Sequence, residues 1–234
     1  MIALVFTSSS IASDQSQWEY KPGKQGPCHW GTVYPTCKKG TAQSPINIIT
    51  NKTQKMSKSH DIVIHEETHA VLSHEVDNGH AIKIIPAGDS GIELNGVHYK
   101  LMQYHFHGRS EHTVDGVPFD MVMHMVHQNK KGELAVLGVF MERGQHNKDL
   151  ESLIDHLDGG DIKVAPASLL PKDLTHYYHY MGSLTTPPCS ENVKWYILKE
   201  PINLDGIQLA KFRKHYTTNF RPIQRTNGRI VEVH

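Results

Sequence analysis

The chain has 234 residues, with 24 Lys plus Arg balanced by 24 Asp plus Glu, so its formal net charge is zero. That balance removes any general argument for a nucleic-acid or anionic-membrane partner. No apolar run approaches the roughly 20 residues a helix needs to cross a bilayer.

Residues 1–13 read MIALVFTSSSIAS, a short apolar core followed by small residues, with Ser10-Ile11-Ala12 as a cleavage site. The positively charged start of such a leader is missing. Residues 1–16 are expected to be a signal-peptide remnant or disordered tail, and the protein to be periplasmic or secreted. Residues 17–234 then form one domain, because no linker, repeat or low-complexity stretch interrupts them. Residues 14–45 read as irregular, rich in Gly, Pro and aromatics.

Strand-like segments follow at 61–65, 70–76, 81–85, 92–94, 98–107, 119–127, 134–141 and 193–198, separated by Gly, Asn and Asp punctuation. Asn95-Gly96 is a hairpin signal between two of them. Only two helices are predicted: Asn147–Leu157, with Leu150, Leu153, Ile154 and Leu157 at helical spacing, and Gly206–Thr217. The fold class is therefore mainly β (α+β): a large twisted, mostly antiparallel sheet with short peripheral helices. Cys28, Cys37 and Cys189 are the three cysteines, and an odd count suggests one disulfide and one spare thiol. Spacing alone leaves the pair open.

Within the strand-like run LMQYHFH, Gln103, His105 and His107 fall on one face and Met102, Tyr104 and Phe106 on the other. His124 follows in FDMVMHMVH. Adjacent strands lie about 4.8 Å apart, so an antiparallel neighbour carrying His124 can close a three-nitrogen site. Three neutral imidazoles leave a tetrahedral zinc one open position, the arrangement of a catalytic site. Val126 shares the strand face of His124 and sits beside it.

Blocks in fixed order carry a resemblance: GPCHWG (26–31), QSPINI (43–48), DNGHAI (77–82), LMQYHFHGRSEHTVDG (101–116), YMGSLTTPPCSENVKW (180–195) and NFRP (219–222). Together they resemble the α-class carbonic anhydrases of bacterial, exported type, over nearly the whole chain after residue 17. The resemblance implies a zinc enzyme (Zn2+ as cofactor) that reversibly hydrates carbon dioxide to bicarbonate and a proton through zinc-bound hydroxide. His105, His107 and His124 match the metal ligands, and Gln103 the amide that orients His105. Thr185 matches the threonine that accepts a hydrogen bond from the hydroxide and donates to Glu111. His80 matches the proton shuttle, with Tyr20 and Asn78 at positions that organise its water path. Val126, Val136, Leu184, Thr186 and Trp195 match the carbon dioxide pocket. His112 and Tyr180 match a buried pair, Asn219 and Arg221 a carboxy-terminal brace, and Cys37 with Cys189 a disulfide, leaving Cys28 free. The partner is a small molecule, carbon dioxide or bicarbonate. Bacterial relatives are often homodimers, although no interface is legible.

Two positions depart from the pattern. Val122 stands where the family has a glutamate that braces the third histidine. Faster zinc exchange follows, with a water or backbone carbonyl as the substitute partner. Lys83 replaces an uncharged amide, and a nearby cation should lower the pKa of His80. Two rival readings remain: a cupin-like metal enzyme using Glu111 as ligand, and a non-catalytic zinc-binding protein on the same scaffold.

Overall fold

The computed structural model describes residues 18–56, 62–65, 67–157 and 159–234; the expected leader lies outside them. In chain order the strands are β1 (Asn47–Ile48), β2 (Gln54–Lys55), β3 (Ile62–Ile64), β4 (Val71–Asp77), β5 (Ile82–Pro86), β6 (Gly91–Leu94), β7 (Val97–His107) and β8 (Thr113–Val114). They continue as β9 (Val117–Pro118), β10 (Met121–Gln128), β11 (Leu134–Arg143), β12 (Gly160–Val164), β13 (Tyr177–Ser183), β14 (Glu191–Leu204) and β15 (Glu232–Val233). Among the described residues, twelve of them form one sheet in the order β12-β4-β5-β7-β10-β11-β14-β13-β15-β2, with β6 on β7 and β3 on β6. Most neighbours are antiparallel, while β11/β14 and β15/β2 are parallel.

The central strands are apolar almost throughout because both faces are covered. On one face Tyr104, Phe106, Met121, Met123, Met125, Leu137, Val139, Tyr196 and Leu198 make the larger core. Two helices help to cover it, α3 (Glu151–Ile154) and α4 (Gly206–His215), through Leu153, Leu209 and Phe212. On the other face Val122, Val136, Phe140, Trp195 and Ile197 pack with Ile46 and Ile48. Opposite faces thus come from alternate residues of the same strands.

The structure differs from the sequence reading in several places, the two-residue strands β1, β2, β8, β9 and β15 among them. A register shift in the β7–β10 pairing skips Met102, which is 44% exposed. This bulge places Leu101 and Tyr99 on the same core as Tyr104 and Phe106, so Met102 does not share their face as alternation suggested. β12 and β13 were not expected, since GDIKV is short and YYHYMGS carries no clean alternation. The helix expected over 147–157 is reduced to one turn of 3-10 helix at Lys148–Leu150 and then α3, and α4 stops at His215. Within the stretch expected to be irregular, Pro27–His29 forms a 3-10 turn, followed by the short helices α1 (Trp30–Val33) and α2 (Thr36–Lys39). The hairpin behaves as its residues dictate: Asn95 and Gly96 both take positive φ, 52° and 76°, between β6 and β7.

Candidate metal centre

β7 and β10 pair with His105 directly opposite His124 and His107 opposite Val122. Cross-strand partners leave the sheet on the same face. The three imidazoles therefore converge, with ring centroids 5.0, 5.3 and 4.7 Å apart. One ring nitrogen from each lies within 4.8 Å of the other two.

Outer hydrogen bonds decide which nitrogen each ring offers. Gln103 Oε1 accepts from His105 Nδ1 at 2.9 Å, and the carbonyl oxygen of Asn219 accepts from His107 Nδ1 at 2.5 Å. A proton held on Nδ1 leaves the Nε2 lone pair free. His107 Nε2 is buried with no hydrogen-bond partner. His124 presents Nδ1 instead: it lies 3.8 Å from Glu111 Oε2, the oxygen that is 3.5 Å from His107 Nε2. Its outer nitrogen, Nε2, is buried and meets no protein partner. The backbone carbonyl expected to replace the missing glutamate is not supplied, and Val122 contributes only apolar surface to the core.

Burial pushes His105 and His124 well below the ordinary imidazole value. Neighbouring histidines act in the same direction on both, and Lys83 does so on His105. Both rings are accordingly neutral near pH 7. His107 Nε2, a buried lone pair without a partner, costs about 1–3 kcal/mol. A divalent cation at the common point of the three rings removes that cost, so the residues present fit a metal of the kind imidazole sets hold.

Glu111, 2% exposed, closes the centre. Its Oε1 accepts from the backbone N–H of Arg221 at 2.7 Å, while Oε2 faces the histidines with no hydrogen bond. The expected hydrogen bond from Thr185 to Glu111 is not made among the described residues; the carboxylate is turned toward the two imidazoles instead. Arg221 anchors this side: its guanidinium donates to Gln43 Oε1 and to the carbonyl oxygens of Ser44 and Cys37. Burial pulls that guanidinium down to about 10.

The wall beside the histidines is apolar. Val126, Val136 and Trp195 are cross-strand neighbours in β10, β11 and β14. Val126 and Leu184 pack against the cluster that holds Val136 and Trp195, and the Trp195 ring lies 4.9 Å from that of His124. Gly182 permits this approach: a Cβ there would meet Ser44 Oγ at 2.2 Å and Trp195 Cδ1 at 2.8 Å. Thr186 is half-buried in the same loop as Thr185, where its carbonyl accepts from the Cys189 N–H. His112 Nε2 and Tyr180 Oη are 2.6 Å apart, and Tyr180 Oη lies 2.7 Å from Ser44 Oγ. Burial holds His112 at about 3 and raises Tyr180, so both stay neutral. Cys37 and Cys189 form a disulfide that fastens α2 to the Thr185 loop, and Cys28 is free and exposed.

His80 lies away from the triad, stacked on Trp18 with ring centroids 3.7 Å apart. Tyr20 stands between, 6.4 Å from both the His80 and His107 rings, with its hydroxyl buried and unpartnered. His80 is lowered as expected, yet burial is the cause, with Asp77 opposing it; Lys83 acts on His105 instead. Asn78 Oδ1 accepts from the N–H groups of His80 and Ala81, so its carbonyl holds the turn. One role and one residue escaped the sequence reading: the contact of Asn219 with His107, where only a carboxy-terminal brace was expected, and Trp18 beside His80. Asn219 reaches His107 through a main-chain carbonyl, which every residue possesses and no motif reveals. Trp18 had one visible signal, an aromatic pair in WEY just before the first block.

Convergent histidines beside an apolar wall on a large twisted sheet define a candidate metalloenzyme site. Residues 25–234 match the model for eukaryotic-type carbonic anhydrases. A carbonic anhydrase of Nostoc sp. is 36% identical over 226 residues, 92% of this chain and 84% of that protein. The α-carbonic anhydrase of Thermovibrio ammonificans, solved with the inhibitor sulfanilamide, superposes with a TM-score of 0.84 at 38% identity, covering 92% of this chain and 98% of that one. Dioscorin, solved with ascorbate, superposes at 0.87 with 28% identity, over 93% of this chain and 98% of that one. The chain belongs to the eukaryotic-type, or α, carbonic anhydrase family, whose activity is the hydration of carbon dioxide.

Proposed function

We propose that the metal is zinc and that this chain hydrates carbon dioxide reversibly, with His80 carrying the proton away. The observation that supports this most is the convergence of three inward nitrogens, two of them from rings that burial keeps neutral. Zinc lowers the pKa of water from 15.7 to about 7, which supplies hydroxide at neutral pH.

The protein's own groups do the rest. Gln103 and the Asn219 carbonyl fix the tautomers and orientations of His105 and His107. Val126, Val136, Leu184 and Trp195 offer carbon dioxide an apolar niche that excludes competing water. Thr185 has one donor hydrogen. Were it donated to the unpartnered Oε2 of Glu111, a contact this structure does not make, the Thr185 oxygen would act only as acceptor and so orient the nucleophile. Tyr20, whose ring lies 6.4 Å from those of both His80 and His107 and whose hydroxyl is buried and unpartnered, lines the path of the departing proton. His80, lowered by burial, is unprotonated at pH 7 and ready to take it. The Cys37–Cys189 disulfide supports an oxidising, exported location.

Metal analysis with stopped-flow carbon dioxide hydration tests the reading. About one zinc per chain and activity that disappears on chelation are expected. A zinc-loaded protein with no hydration above background would leave the non-catalytic binding protein.

A further inference from the structure

Lys83 is the in-register partner of His105 across β5 and β7, so it leaves the sheet on the same face as the metal-facing imidazole. It is half-buried, and among the described residues no carboxylate pairs with it. The acids on neighbouring elements are not paired with it. Glu75 of β4 is in register with Ile84 and thus on the other face. Asp77 accepts from the Gly79 N–H and from the Tyr216 hydroxyl. Glu111 accepts from the Arg221 N–H through Oε1 and keeps Oε2 on His107 and His124. Lys83 therefore brings a positive charge without a carboxylate of its own to the His105 side of the triad, where it helps to hold His105 neutral.

We propose that Lys83 makes the approach to the metal an anion-attracting subsite, favouring bicarbonate and other small monovalent anions over neutral ligands. The inference rests on the function proposed above and adds to it. A half-buried charge is screened less than a solvated one. Its attraction acts on an anion at the metal whether that anion is product or inhibitor, and it leaves uncharged carbon dioxide unaffected.

The test uses protein loaded with cobalt(II) in place of zinc, titrated with thiocyanate and with bicarbonate while its visible absorption is followed. Lys83→Gln should weaken both anions about fivefold. That lies within the roughly two- to fifteenfold effect of a unit charge on the order of 10 Å away at effective dielectrics between 80 and 20. Lys83→Arg should keep native affinity within about twofold, because the charge is retained. Raising ionic strength should weaken anion binding more steeply in the native protein than in Lys83→Gln. A native protein that binds metal and hydrates carbon dioxide, but whose anion affinity is unchanged in Lys83→Gln or equally lost in Lys83→Arg, overturns this inference alone. A native protein that takes up neither zinc nor cobalt overturns the proposed function and this inference together.

Discussion

β7 and β10 each supply histidines to one point, but they do not hold them equally. Both β7 rings are fixed from behind, His105 by the Gln103 side chain and His107 by the Asn219 carbonyl. The β10 ring, His124, has a buried outer nitrogen with no protein partner, and Val122, two residues earlier on the same face, belongs to the apolar core. Strand register alone can aim a ligand; fixing its tautomer and raising its basicity require a separate hydrogen bond. The centre is thus braced on one strand and only packed on the other.

Removing a braced ligand should have the largest effect. His107→Ala is expected to reduce bound zinc from about one per chain to below about one tenth, measured by elemental analysis after dialysis. Retention of stoichiometric zinc would mean that the ion does not sit among these residues. Breaking the Cys37–Cys189 disulfide with Cys37→Ser separates fold stability from metal retention. The bridge spans 152 positions, and its loss should cost roughly 3–5 kcal/mol in urea unfolding while leaving the outer hydrogen bonds of the triad intact.

Smaller changes address the comparison directly. Gln103→Leu should unfix His105 and speed zinc release to a chelator by about 10–100-fold. The reverse change, Val122→Glu, should slow release by about tenfold by giving His124 Nε2 the acceptor it lacks, with Val122→Gln as the uncharged check. Equal release rates in native and Val122→Glu proteins would remove the claim that His124 is the weakly held ligand.

The smallest expected effect concerns pH. His112 is held at about 3 by burial, against an ordinary value near 6.5 in the unfolded chain. Above pH 6.5 the ring is neutral in both states and contributes nothing. Between about 6.5 and 3 only the unfolded chain takes the proton, so stability falls by roughly 1.4 kcal/mol per pH unit for this group. Urea titrations at pH 6.5 and 5.5 should show a shallower decline in His112→Gln than in the native protein; parallel declines would assign the loss to other groups.

Much of this was legible without coordinates. The alternation in LMQYHFH sets two histidines on one face, Asn95-Gly96 dictates its hairpin, and the ordered blocks from GPCHWG to NFRP carry the family. These are local signals, because side-chain period and turn chemistry depend on adjacent residues. What only the tertiary structure decided depends on groups far apart in the chain. The register that sets His105 against His124 was one such matter. So were the Asn219 carbonyl 112 positions from His107, the turn of Glu111 toward the imidazoles, and the burial that lowers His80 where a lysine was expected to. A main-chain carbonyl has no signature in the residue alphabet, and desolvation is a property of what packs around a group.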